Sequence, residues 1–422
     1  MEELTTEDGT NTTVSEITAG RPDTAKSPRT ADGCSIPPRC DNRRVIEAAV
    51  RAAAVPPFHA MAMSREAVRL EASGRRILHL EVGQPLTSLP ALAREAVRSH
   101  LDEQLGYTNA AGIHALRRRL AEREGVEIDR ILVVAGASAG FTLAFLTLFE
   151  PGARVGVLEP GYPCYRNALL ALGIEPVAIP VGPESRWAPT PAHLDAAGEL
   201  DGLVLASPSN PTGTILGADA LAAITAACRA RGIAVIADEI YHGIVDGPPA
   251  AKVLDHHPEA FVVNSFSKYW SMTGWRVGWV VVPDSLVDTV ERLQQNLYIC
   301  APHVSQIAAL AALDATDELD QHVARYRENR TIVVDGLAAA GITDIAPADG
   351  AFYMYAHVPH LTTAVGLDSL QLATRWLHEI GVAATSGVDF DLARGHEYVR
   401  FSYAGAGVDV AEACELLAGW TP

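Results

Sequence analysis

Six short apolar runs punctuate the chain at residues 131–134, 155–158, 202–206, 233–237, 260–263 and 277–282, and none contains a charge. Runs of four to six apolar residues bounded by small or polar residues read as buried strands rather than helices. The first five give way abruptly to residues that carry chemistry: Gly136 and Ser138, Tyr162, Asn210, Asp238, Ser265 and Lys268. An open α/β sheet gathers its ligands outside the carboxyl ends of its strands. A chain of 422 residues, 48% hydrophobic, has room for a large α/β domain and a smaller companion.

The loop joining the last two runs, residues 264–278, reads Asn-Ser-Phe-Ser-Lys-Tyr-Trp-Ser-Met-Thr-Gly-Trp-Arg-Val-Gly. A lysine ammonium in a partly apolar, cation-rich pocket loses pKa and becomes a nucleophilic amine. Lys268 is so placed, with Arg276 as the second cation and a fork for phosphate, and with the Ser265 and Ser267 hydroxyls in the same cradle. Lysine for a Schiff base beside a phosphate cradle describes a site for pyridoxal 5'-phosphate. The small residues Gly136, Ala137 and Ser138 between a strand and a helix form a second part of a phosphate cup. Their spacing is wrong for a dinucleotide-binding G-x-G-x-x-G loop.

Ser-Phe-Ser-Lys at 265–268 followed by Gly-Trp-Arg-Val-Gly at 274–278 resembles the lysine motif of class I and II aminotransferases, the fold-type I pyridoxal-phosphate enzymes. The resemblance extends over residues 45–420. It implies an α/β fold-type I transferase: a large domain with a mostly parallel seven-stranded sheet flanked by helices, plus a smaller α/β domain. The expected divisions are a disordered polar tail at 1–42, an arm and part of the small domain at 43–90, the large domain at 91–315 and the small C-terminal domain at 316–422. The tail contains Cys34 and Cys40 and almost no large apolar side chains.

The same resemblance assigns roles to residues. Tyr162 matches the aromatic that stacks on the cofactor ring, and it is favoured over Tyr165. Asn210, in Asn-Pro-Thr-Gly, and Tyr241 match the groups that bond the phenolate oxygen. Asp238 matches the carboxylate that keeps the pyridine nitrogen protonated; by itself it would read as a helix N-cap. Tyr107 matches a tyrosine that reaches the partner subunit's phosphate in a homodimer with shared sites. Gly83 matches a glycine whose backbone lies near the substrate carboxylate, although an ordinary strand-ending turn fits it as well. Arg400 stands in an apolar strand, where an unpaired guanidinium is costly. It matches the arginine that binds the substrate α-carboxylate, with a structural salt bridge as the competing reading.

The formal net charge of −18 opposes a nucleic acid or an anionic membrane as partner. Six scattered cysteines without metal spacing point to reduced thiols in a cytoplasm. Residues 131–149 are uncharged, but Gly136, Ser138 and Gly140 break them into strand, loop and helix rather than a membrane span.

For the substrate, aspartate-specific relatives place a lysine where this chain has Ser138. The arm, Val-Pro-Pro-Phe-His-Ala-Met at 55–61, offers only His59 as a second cation. The expectation is an amino acid:2-oxo acid aminotransferase favouring valine, alanine or another small apolar donor, with pyruvate as acceptor. This agrees with a general likeness to actinobacterial enzymes of valine–pyruvate or aspartate exchange. Aspartate exchange, or lyase, decarboxylase or oxidase chemistry on the same fold, stands as the alternative. A pyridoxal-phosphate-sensing transcription regulator is opposed by the acidic charge and by a tail too short for a winged helix.

Overall fold

The computed structural model describes residues 47–421; the tail expected over 1–42, with Cys34 and Cys40, lies outside them. Twelve strands are present among the described residues. They are β1 (Leu78–His79), β2 (Ile131–Val134), β3 (Arg154–Glu159), β4 (Glu175–Pro180), β5 (Gly202–Ala206), β6 (Ala234–Asp238), β7 (Phe261–Ser265), β8 (Gly278–Val281), β9 (Tyr353–His357), β10 (Val382–Ala383), β11 (Thr385–Ser386) and β12 (Tyr398–Ser402).

Seven of them form one sheet in the order β2-β8-β7-β6-β5-β3-β4. All six expected apolar runs are in it, within a residue or two of their expected bounds. The seventh strand, β4, went unforeseen. It carries Glu175, Pro176 and Pro180 and lies at the sheet edge with most of its residues partly or fully exposed. Proline is tolerated only at such an edge, and a strand there needs no continuous apolar run.

Every pairing in this sheet is parallel except the two that β8 makes, with β2 and with β7. The reversal of β8 brings the residues preceding it, Arg276 included, to the edge where the other strands end. Gly278 pairs with both Val134 and Ser265. The ends of β2 and β7 therefore flank the start of β8. Both faces of the sheet are covered: β2 sends Ile131 and Val133 into one core layer and Leu132 and Val134 into the other. The crossovers include helices Pro163–Leu172, Pro191–Ala197 and Ala218–Arg231. Helix Ala137–Leu148 follows β2 after a single turn, dividing the 131–149 stretch as expected.

A separate three-stranded antiparallel sheet has the order β11-β12-β9, and β1 pairs in parallel with β10. The sequence over 77–82 reads as a strand, and the arm as two helices, one running from residue 43 to the stop at Pro56-Pro57 and one over about 61–73. In the structure only Leu78 and His79 are in ladder pairing, because their partner β10 is itself two residues long. The first arm helix is confined to Val50–Ala53 among the described residues, and the second begins two residues earlier, at His59. No helix among the described residues is long and apolar enough to cross a membrane.

Candidate active site

The carboxyl edge of the large sheet opens into a cavity of about 570 Å³. At one end lies a socket for an anion. Helix Ala137–Leu148 begins at Gly136, which has φ 82° and no side-chain cap. The amides of Ala137 and Ser138 therefore point out of the helix without intrahelical acceptors. A Cβ at Gly136 would collide with the Arg276 guanidinium, so glycine is what lets the arginine lie against the helix start. Arg276 reaches the Ser267 hydroxyl at 3.5 Å, and the Ser265 hydroxyl donates to Ser267 at 2.9 Å. Two free amides at a positive helix end, a guanidinium and two hydroxyls fit a phosphate.

Deeper in, β6 delivers Asp238, only 3% exposed. Its carboxylate accepts the Tyr165 hydroxyl and the Ile240 amide, the latter at 3.1 Å. Burial pushes the carboxyl up to about 6, against the pull of Tyr165, the Ile240 amide and the Lys268 ammonium. The helix-cap reading of Asp238 does not hold, because Ile240 and Tyr241 form a turn and not a helix. The engagement of Tyr165 with Asp238 also separates the two candidate aromatics. Tyr165 is committed to the carboxylate, while Tyr162 stands edge-on to it, with ring centroids 5.5 Å apart, on the cavity wall.

Lys268 projects from the loop after β7, its Nζ donating to the Gly83 carbonyl at 2.6 Å. Its pKa falls to about 8, first because the amine is buried and next because Arg400 and Arg276 disfavour a third cation; Asp238 opposes this. The lowered value is what a nucleophilic amine requires.

Arg400 in β12 is 3% exposed and makes no salt bridge to any carboxylate among the described residues. Its Nη1 donates to Asn210 Oδ1 at 2.9 Å and its Nη2 to the Glu81 carbonyl at 2.6 Å. Its Nε is buried without a partner, and the guanidinium lies 4.5 Å from the Tyr353 ring centroid and 4.8 Å from that of Phe390. A structural salt bridge is thus absent. Because Asn210 Oδ1 is spent on Arg400, only the Asn210 amide nitrogen remains to donate elsewhere.

Tyr353 is the residue that sequence reasoning missed. Its hydroxyl pairs with that of Tyr241 at 2.7 Å and touches the Gly83 carbonyl at 3.3 Å. Any Cβ at Gly83 would overlap it. Glycine at 83 is therefore a requirement of the close approach between this turn and Tyr353, beyond simply ending a strand. Nothing local in 350–355 marks Tyr353; its partner Tyr241 is 112 residues away.

The arm contributes Phe58, Ala60 and Met61 to the wall, and helix Ala137–Leu148 contributes Phe141. His59, the candidate second cation, does not line the cavity. Tyr107 is 83% exposed and lies outside the cavity of its own chain.

A mostly parallel sheet flanked by helices, with a depressed lysine, a buried aspartate and an anion socket at its carboxyl edge, is the architecture of a fold-type I pyridoxal-phosphate-dependent transferase. The sequence model described as aminotransferase class I and II matches residues 75–417, and the chain belongs to that family, whose members depend on pyridoxal phosphate. It is 44% identical over 382 residues to a valine–pyruvate aminotransferase of Mycobacterium tuberculosis, covering 88% of this chain and 97% of that one. An aspartate aminotransferase of Sulfurisphaera tokodaii is more distant, 29% identical over 80% of this chain and 88% of its own length. The crystal structure of an aminotransferase from Mycobacterium tuberculosis superposes with a TM-score of 0.86 at 43% identity, covering 89% of this chain and 99% of that one. The chain is a pyridoxal-phosphate-dependent amino acid:2-oxo acid aminotransferase.

Proposed function

We propose that the preferred amino donors are small and apolar, valine and alanine among them, and that pyruvate is a good acceptor. The observation that carries this is the distribution of cations around the cavity. Among the described residues, Lys268, Arg276 and Arg400 are the only lysine or arginine side chains in its lining. Arg276 belongs to the anion socket and Lys268 to the reacting centre, so Arg400 alone is left for a substrate carboxylate. A second carboxylate would be buried without a partner, at a cost of several kcal/mol. The likeness to a valine–pyruvate enzyme agrees with this choice.

When bound, pyridoxal phosphate supplies an aldehyde that condenses with amines and a ring that withdraws electrons from the substrate α-carbon. Gly136, Ala137, Ser138, Ser265, Ser267 and Arg276 would hold the phosphate, and Tyr162 would face the ring. Asp238 would pair with the ring nitrogen; at about 6 its pKa still leaves it ionised at neutral pH. Asn210 and Tyr241 would bond the phenolate oxygen. Arg400 orients the donor through its α-carboxylate, with the Gly83 turn alongside. Lys268 holds the cofactor before the donor arrives, then takes the α-proton and returns it to the carbon where the amino group is to stay. Its pKa near 8 leaves an appreciable free-base fraction at neutral pH. Donor and acceptor follow each other through the same site in ping-pong order.

We further infer a homodimer in which the exposed Tyr107 reaches the partner's phosphate, and a cytoplasmic location. Free Cys164, Cys228, Cys300 and Cys414 support a reducing compartment. A large domain at 91–315 and a small one at 43–90 with 316–422 are supported by the sheets: the seven-stranded sheet spans 131–281, and the smaller sheets draw on 78–79 and 353–402. The test is a donor screen with pyruvate, scored for 2-oxo acid and for ammonia. Release of ammonia, or turnover without an acceptor, would point to the lyase, decarboxylase or oxidase alternatives.

A further inference from the structure

The arm helix His59–Ala72 starts without a cap of its own, since Phe58 offers no side-chain acceptor for its first amides. Those amides go to a residue 330 positions away. His59 N–H donates to Asp389 Oδ1 at 2.9 Å, and Ala60 N–H to Asp389 Oδ2 at 2.8 Å. A buried carboxylate that takes two otherwise orphaned amides at the positive end of a 14-residue helix is a strong tie.

The tie connects the arm side of the cavity wall to the segment packed against Arg400. On the arm side, Phe58, Ala60 and Met61 all line the cavity. On the other side, Asp389 is followed by Phe390, whose ring lies 4.8 Å from the Arg400 guanidinium. The Phe390 carbonyl accepts the Gly161 amide at 2.9 Å, one residue before Tyr162. The Asp389 carbonyl accepts Arg166 Nη2 at 3.1 Å, and Arg166 is paired with Glu159 at 3.1 Å. One dipeptide is thus anchored to the Tyr162 turn and to Arg400 while its carboxylate grips the arm. The arm residues beside this grip, Phe58, Ala60 and Met61, line the same cavity as Arg400.

We propose that Asp389 is a positioning residue that pins the arm against the donor side-chain end of the cavity and so sets the preference among apolar donors. This rests on the transamination reading above. Asp389 touches neither cofactor nor donor; it acts through Phe58, Ala60 and Met61. Its effect therefore depends on how far the donor side chain extends toward the arm.

The test compares wild-type holoenzyme with Asp389→Asn, which keeps the shape, and Asp389→Ala, which removes the cap. Two readouts are needed: hydrogen–deuterium exchange of the amides at 59–62, and kcat and KM for alanine, valine and leucine with one acceptor. An unchanged visible absorption of bound cofactor shows that each variant is folded. Exchange should rise in both variants, more in Asp389→Ala. The loss of kcat/KM should grow with donor length, to about fivefold for valine and leucine, and lie mainly in KM. Exchange at 59–62 equal to wild type would overturn the tie. Equal losses for all three donors would overturn the specificity role. If wild type uses none of these donors, the apolar-donor reading falls and the specificity claim with it, while exchange still decides whether Asp389 holds the arm.

Discussion

The two walls of the cavity are built by different means. One is the carboxyl edge of the large sheet, where Gly136, Asn210, Asp238, Ser265 and Lys268 each follow or close a buried strand. The other is assembled from far apart: Arg400 from β12, Tyr353 from β9, the Gly83 turn beyond a two-residue strand, and an arm held by Asp389. On the first wall the local chain direction decides where a side chain goes. On the second, every position depends on a contact across more than a hundred residues. The first wall suits a cofactor that must always be held in one pose, and the second suits substrates that come and go.

This contrast can be broken at either wall. The largest effect is expected from Lys268→Ala, which should cut turnover by at least about 10⁴-fold while leaving the anion socket and Asp238 able to bind cofactor. Turnover near wild type, with cofactor affinity measured alongside by equilibrium dialysis, would remove Lys268 from the centre.

Arg400→Leu comes next. Losing the partner of a buried carboxylate costs about 3–5 kcal/mol, so donor KM should rise by on the order of a hundred-fold to a few thousand-fold with cofactor binding little changed. The same variant joins the two walls. Arg400 is, after burial, the largest cause holding the Lys268 ammonium down to about 8. Removing that charge should therefore raise the Lys268 pKa. In the apoprotein, modification of Lys268 by an amine reagent should be half-maximal near pH 8 for wild type and at higher pH for the variant. An unaltered profile would show that the walls are electrostatically independent.

Tyr353→Phe should cost about 0.5–1.5 kcal/mol, the worth of one hydrogen bond, and lower kcat/KM by roughly two- to tenfold. No change would leave Tyr353 as packing for Gly83 and Arg400 only.

The smallest effect concerns the support behind the second wall. His79 bridges Glu81 at 2.9 Å and Glu71 at 3.1 Å, and its pKa rises to about 9, chiefly through the Glu81 hydrogen bond. A raised folded-state value stabilises fully below the unfolded pKa of about 6.5 and is lost as pH passes through about 9. Because the imidazole is partly solvated, the gain is on the order of 1 kcal/mol. The Tm gap between wild type and His79→Gln should be present at pH 6 and closed by pH 10. A gap independent of pH would assign His79 a packing role instead.

How much was legible from the sequence follows the same division. Six of the seven strands of the large sheet announce themselves as uncharged apolar runs, and the residues ending the five parallel ones fall where an open α/β sheet places its ligands. The strand that escaped, β4, is an edge strand with two prolines, whose pairing is set by β3 and not by its own composition. Arg400 was legible because a guanidinium inside an apolar strand demands an explanation. Tyr353 was not, because a tyrosine in a strand demands none. Asp389 was equally silent: a helix capped from 330 residues away leaves no mark at its own start except the lack of a capping side chain at Phe58. His59, the second cation that the arm offered, does not line the cavity, and its backbone amide donates to Asp389.

Donor choice turns on Arg400, the one cation that the described residues leave available in the cavity for a donor carboxylate. The direct measurement is a single-turnover reaction of the holoenzyme with valine, alanine and aspartate in turn, following 2-oxo acid and ammonia. Valine and alanine should react with higher kcat/KM than aspartate, each giving its 2-oxo acid and no ammonia. A clear preference for aspartate would contradict the reading of the pocket, because a second carboxylate would then have found a cation beyond those that the described residues place in the cavity wall.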